Sequence, residues 1–249
     1  MRPSSIVAWP ATVWAVTLFD VHAPTPDRGV DSAPWIVVGS PDNVRLPLVP
    51  TFPPSEASTG TPPTTATSFT QNGGCPADVT NCVVSPNGAT ITPGGGTVSM
   101  GNVSLTGQAE LHLGAGTYIV NSLSIIGSSQ IIIDSGPVIF QIAGQGIAGD
   151  VLTIEGDGIS NTSYNPQNLQ FVYAGTENVS VAGGTETSAL LYAPNATGGF
   201  AGGSDFYGAV ILKQITATGG SSIHYDRRLQ YSAFVPGKHM MSSFTWRTF

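Results

Sequence analysis

In the middle of the chain, apolar residues come in short triplets around one central residue: Val103-Ser104-Leu105, Leu111-His112-Leu113, Leu123-Ser124-Ile125, and the all-apolar Ile131-Ile132-Ile133. A period of two marks strands with one buried face. The triplets themselves recur. Residues 97–116, TVSMGNVSLTGQAELHLGAG, lie over residues 117–136, TYIVNSLSIIGSSQIIIDSG, at a spacing of twenty. A fixed short period predicts stacked repeats, each unable to bury its apolar face alone. Val103 is expected to pair with Leu123, and Leu105 with Ile125. Gly107 and Gly127 fall between the two strands of each unit, at a corner that needs a positive φ. Gly116 and Gly136 would turn the next corner.

The repeat predicts an all-β fold, a right-handed parallel β-helix of roughly six coils. Pro137 to Ile142 opens a third coil in register, with Pro137 in the place of Thr97 and Thr117. Val151 to Ile154, Leu169 to Tyr173, Val179 to Val181 and Ala189 to Tyr192 continue the strands, and residues 215–226 form the last clear coil. Residues 157–168, DGISNTSYNPQN, read as an excursion or loop. At about 4.8 Å per coil the rod would be on the order of 30 Å long. No stretch carries helical periodicity.

Proline divides the chain. Fifteen of its 19 prolines fall in the first 96 residues. Residues 50–96 read as a Pro/Thr/Gly-rich linker, 97–230 as the β-helix domain and 231–249 as a tail packing on or capping it. Residues 1–49 form an N-terminal segment. Its apolar run, residues 6–19 followed by Val21-His22-Ala23, resembles a secretory signal and is short for a membrane span of about 20 residues. A start codon inside a longer gene accounts for it equally well. Cys75 and Cys82, the two cysteines, are expected to close a short disulfide loop, which points to an oxidising compartment.

Charge narrows the function. Charged residues make up 9% of the chain and net charge is −7. No basic patch exists to neutralise phosphates, so nucleic acid is not an expected partner. Asp150, Glu155 and Asp157 are the acidic cluster of the repeat region, readable as a carboxylate pair or a calcium site. We read them as solvated turn acids, since turns favour Asp. Between Thr97 and Ser222 the one basic side chain is Lys213, which argues against a lyase acting on anionic sugars. The cluster His224-Tyr225-Asp226-Arg227-Arg228 could hold a His–Asp pair. Neighbouring strand residues face opposite ways, however, and no nucleophile-elbow motif accompanies them. It reads as a cap on the last coil. His112 alternates outward between two leucines. No cofactor is expected.

Two resemblances follow from these residues. LLYAPNA at 190–196, FYGAVILKQI at 206–215, GGSSIHYDRRL at 219–229 and Trp246 are similar to the C-terminal β-helix domain of bacterial pilus-assembly and cell-surface proteins. That likeness spans about residues 97–249. It implies an extracellular or surface location, a structural or adhesive role, no catalytic residues, and pilus or envelope proteins or surface glycans as partners. Gly116-Thr117-Tyr118, Val138 to Ile142 and Phe206 through Leu229 resemble ice-binding β-solenoids. This second likeness is one of fold: ice binding needs regularly stacked Thr, and Pro137 breaks the column of Thr97 and Thr117. The chain therefore reads as a non-enzymatic exported module, with a carbohydrate-active β-helix enzyme or an ice-binding-like solenoid as alternatives.

Overall fold

The structure, a computed structural model, describes residues 15–17, 61–155, 157–183, 186–226 and 229. Its strands, in chain order, are β1 (Ala15–Thr17), β2 (Ala66–Thr70), β3 (Cys82–Ser85), β4 (Gly88–Ile91), β5 (Thr97–Thr106), β6 (Glu110–Leu113), β7 (Gly116–Ile125) and β8 (Gln130–Ile133). They continue as β9 (Val138–Ile142), β10 (Asp150–Ile154), β11 (Gly158–Ser160), β12 (Leu169–Tyr173), β13 (Asn178–Val181), β14 (Glu186–Phe200), β15 (Asp205–Ala217) and β16 (Ser222–Tyr225). The only helical element among the described residues is a single 3-10 turn, Pro166–Asn168. No described helix is long and apolar enough to cross a membrane.

The strands are all parallel except at two edges, where β3 runs antiparallel to β4 and β1 antiparallel to β15. They form three rows that close into a barrel-like arrangement around one apolar core. Row A has six strands: the first parts of β5 and β7, then β9, β12, and the middle parts of β14 and β15. Row B is formed by β2, the second parts of β5 and β7, β10, β13, and the ends of β14 and β15. Row C contains β4, β6, β8 and β11, and separately the start of β14, the start of β15, and β16.

The registers follow the twenty-residue pattern. Val103 pairs with Leu123, and Leu105 with Ile125. Row B stacks Phe69, Leu105, Ile125, Ile154, Val181 and Phe200 in one inward column, each at most 1% exposed. In row A, Val98, Tyr118, Phe140, Phe171, Leu191 and Val210 form another. The Tyr118 and Phe140 rings lie 5.5 Å apart, and Phe140 stacks on Phe171 at 5.4 Å. Like side chains on consecutive rungs bury one another, so the ladder bonds and the core are extended together.

Corners between rows B and C share one local design. Gly107 and Gly127 turn them at φ +76° and +69°, a conformation that a Cβ would oppose. Two residues past the corner glycine, a small side chain tucks back: the Ser129 hydroxyl donates to the Leu105 carbonyl at 3.0 Å, Ser204 to Val181 at 3.4 Å, and Ser221 to Phe200 at 2.9 Å. Each bond reaches a preceding rung and satisfies a hydroxyl in an otherwise dry corner. Buried Asn121 plays the same part between rows A and B. It donates to Asn102 Oδ1 (2.7 Å) and Gln145 O (3.1 Å) and accepts from the Gln145 N–H (2.7 Å).

Three expectations need correction. The ordered β structure does not begin at Thr97: β2, β3 and β4 lie inside the stretch read as linker, with Phe69, Ala89 and Ile91 in the core. The third repeat is offset by two residues, since Gly116 rather than Tyr118 pairs with Val138. The cause is corner length. Asp134 to Pro137 separate β8 from β9, whereas Gly114 and Ala115 alone separate β6 from β7. Ile139, not Pro137, therefore follows Thr97 and Thr117 in their column. Finally, the excursion at 157–168 is part strand, as β11 pairs with β8 before the loop begins. Apart from β1, the signal-like run lies outside the described residues, as do residues 50–60, Arg227, Arg228 and the 231–249 tail.

Candidate functional site

Cys75 and Cys82 are joined by a disulfide, with Cα atoms 5.7 Å apart. Both are partly buried against the core, so the bridge ties the loop before β3 to the first edge of row C. The acids are not gathered into a site. Asp150 opens β10 and is exposed, Glu155 follows β10 half-buried, and Asp157 is exposed in the turn to β11. No group of three potential metal ligands occurs among the described residues.

The two histidines among the described residues, His112 and His224, face outward from row C. His112 Nδ1 lies 2.9 Å from Asp134 Oδ1, and its Nε2 lies 4.0 Å from Glu110 Oε2. His224 Nε2 lies 3.3 Å from Asp205 Oδ1 on the neighbouring strand. Its ring stacks on Tyr207 at 4.6 Å and 11°. These surface pairs are cross-strand contacts of exposed or half-buried groups, each worth a fraction of a kcal/mol, about 0.2–1.

A groove marks the place where row C is interrupted. β11 hydrogen-bonds to β8 on one side, while no ladder joins it to the start of β14 on the other. The loop after β11 enters there. Asn161 bridges the break, donating to the Ser188 carbonyl at 3.0 Å and to the Asn165 carbonyl at 2.8 Å. The space beside it, about 500 Å³, is lined by Gln130, Asp157, Asn161, Tyr164, Glu186 and Tyr207, among others. Ser188 also lines it, and its hydroxyl is buried without a hydrogen-bond partner.

The loop is tightly fixed. Ser163 donates to Asn161 Oδ1 at 2.6 Å, Asn168 donates to Ser163 at 2.9 Å, and the Gln167 N–H donates to Asn165 Oδ1 at 3.1 Å. At its tip stands Tyr164, 74% exposed, with φ at +48°. A left-handed tyrosine costs roughly 1–2 kcal/mol. The loop's polar bonds maintain that backbone, and they present the ring instead of burying it.

Chemically the groove offers two aromatic faces, two carboxylates, amides and hydroxyls, and no Lys or Arg among its lining residues. Sequence reasoning treated residues 157–168 as a bare excursion. One signal was present: a single tyrosine inside the turn-forming run SNTSYNPQN.

The architecture defines an all-β protein built on parallel rows closed around one core. Residues 81–232 match the model of a domain of unknown function, DUF7305. This is more than half of the chain, which therefore belongs to that family. No curated protein and no solved structure matches the chain.

Proposed function

We propose that the three rows are the faces of a right-handed parallel β-helix, and that this β-helix is a non-enzymatic structural and adhesive module displayed outside the cell, on its surface or on a pilus-type fibre. The observation that carries the reading is an outward column on row B: Ser68, Ser104, Ser124, Thr153, Ser180, Gly199 and Thr216 stand on successive rungs. At about 4.8 Å per rung this is a regular strip of small, uncharged hydrogen-bonding groups. Such a strip supports many weak contacts with a neighbouring subunit or a glycan, whose effects add through multivalency. The disulfide supports export. The resemblance of residues 190–196, 206–215 and 219–229 to surface and pilus-assembly proteins is what suggests the setting.

The test has two arms. Intact cells of the source organism are treated with a protease that cannot enter them, and the chain is followed by immunoblot; cleavage is expected. Purified protein is then incubated with a broad polysaccharide panel, and no reducing ends or unsaturated sugars are expected. Protection from the protease until lysis would overturn the location. Turnover abolished by Asp157→Asn or Glu186→Gln would overturn the non-enzymatic reading.

A further inference from the structure

We propose that the groove between β11 and the start of β14 is a binding site for a neutral oligosaccharide. The proposal rests on the adhesive half of the reading above and assigns it a location. Two aromatic side chains converge on the groove. Tyr164 is held in a left-handed backbone by a hydrogen-bonded loop and stands 74% exposed at the rim. Tyr207, 39% exposed, has its ring orientation set by the parallel His224 ring beneath it at 4.6 Å. Both line the same 500 Å³ space, and a fixed ring loses little entropy when a ligand stacks on it.

The polar lining decides the ligand class. A pyranose ring presents C–H faces to aromatic rings and hydroxyls at its edges. Asp157 and Glu186 accept from such hydroxyls, Asn161 and Gln130 both donate and accept, and beneath them Ser188, 8% exposed, has a buried hydroxyl with no hydrogen-bond partner. A buried hydroxyl of this kind is costly until something satisfies it. Two carboxylates and no cationic side chain among the described lining residues disfavour uronates, sulfated sugars and phosphorylated ligands. The volume is in the range of small-ligand sites and holds a few sugar rings, not a protein surface.

Isothermal titration of the full chain against cellohexaose, maltohexaose, xylohexaose and chitohexaose, with polygalacturonate as the anionic control, tests the assignment. At least one neutral oligosaccharide is expected to bind at about 1 mM or tighter, and polygalacturonate is not. Tyr164→Asn, which tolerates the left-handed backbone, should weaken binding about tenfold. Tyr164→Phe keeps the ring and should bind as the native chain does. No binding of any neutral oligosaccharide by folded protein would overturn the site and leave the surface location standing. Binding unchanged in both Tyr164→Asn and Tyr207→Ala, or stronger to polygalacturonate, would also overturn it. Shortening of a bound oligosaccharide, lost in Asp157→Asn, would support the site and overturn the non-enzymatic reading instead.

Discussion

Ile125 gives a sharp test of the inward columns. It is fully buried between Leu105 on one rung and Ile154 on the other, while its neighbour Ser124 faces outward and is half-buried. Ile125→Ala removes three carbons, about 2.4 kcal/mol of transfer free energy at roughly 0.8 per methylene. A cavity term adds to this because ladder hydrogen bonds on both sides prevent the rungs from collapsing, so the total should be about 3–4 kcal/mol. For a chain of this size that is a fall in Tm of roughly 7–14 °C. Ser124→Ala removes one outward hydroxyl and should stay within about 0.5 kcal/mol. Thermal melts followed by circular dichroism at one protein concentration would compare the two variants with the native chain. Equal shifts for both, or a shift below about 3 °C for Ile125→Ala, would refute the in–out alternation and the stacking derived from it.

Gly107→Ala meets no atom within 4 Å, so its cost should be conformational alone, about 1–2 kcal/mol in a urea melt; a neutral result would mean the corner does not hold φ at +76°. Reducing the Cys75–Cys82 bridge, which closes a loop across a sequence separation of 7, should cost at most about 2.5 kcal/mol, and alkylation of the denatured, unreduced protein should label neither cysteine. Burial raises the phenols of Tyr118, Tyr173 and Tyr192, and hydrogen bonding and charge from Glu177 further favour the neutral form of Tyr173. The neutral phenols therefore add stability that is present below the ordinary tyrosine value of about 10 and disappears as pH rises towards the folded values. Melts between about pH 8 and 11.5 should show a steep loss above 10, shallower in Tyr118→Phe. That variant should also be about 1 kcal/mol weaker at neutral pH, since it gives up the bond to the Gly114 carbonyl at 2.7 Å.

The parallel rows were legible because inward positions must match on adjacent rungs: Val103 over Leu123 and Leu105 over Ile125 could be read from the sequence alone. The same logic failed at β2, where ATSFT contains one large apolar residue, Phe69, and a single residue has no period. Its place in the core follows from Leu105, 36 positions later. The two-residue offset of β9 was hidden because corner lengths, unlike strand patterns, are not fixed by burial. The serines at 129, 204 and 221 were visible two positions beyond the corner glycines, but their role depends on which carbonyl comes within reach. The groove was the least legible feature. It results from a missing ladder between β11 and β14, and no local pattern announces a bond that does not form.

The outward faces show how one repeat can serve several ends. Inward side chains are constrained by the rungs on both sides, so they stay apolar from rung to rung and record the fold. Outward side chains answer only to solvent and partners. On row A, Ile119, Leu190 and Tyr192 occupy outward register positions, are buried at 7%, 2% and 1% exposure, and lie outside the central cluster, so part of this face is covered, while Ser99 on the rung beside Ile119 is exposed. Row B carries a column of hydroxyls interrupted only at Gly199, where no single residue dominates and any contact strength must come from repetition. Row C breaks its regularity once, at the groove, and there unlike groups from separate segments of the chain converge. A uniform face suits association by many equivalent contacts, while selectivity needs the irregular one. Substitutions along row B should therefore weaken assembly or attachment in small, additive steps, whereas those around Tyr164 and Tyr207 should change which ligand is held.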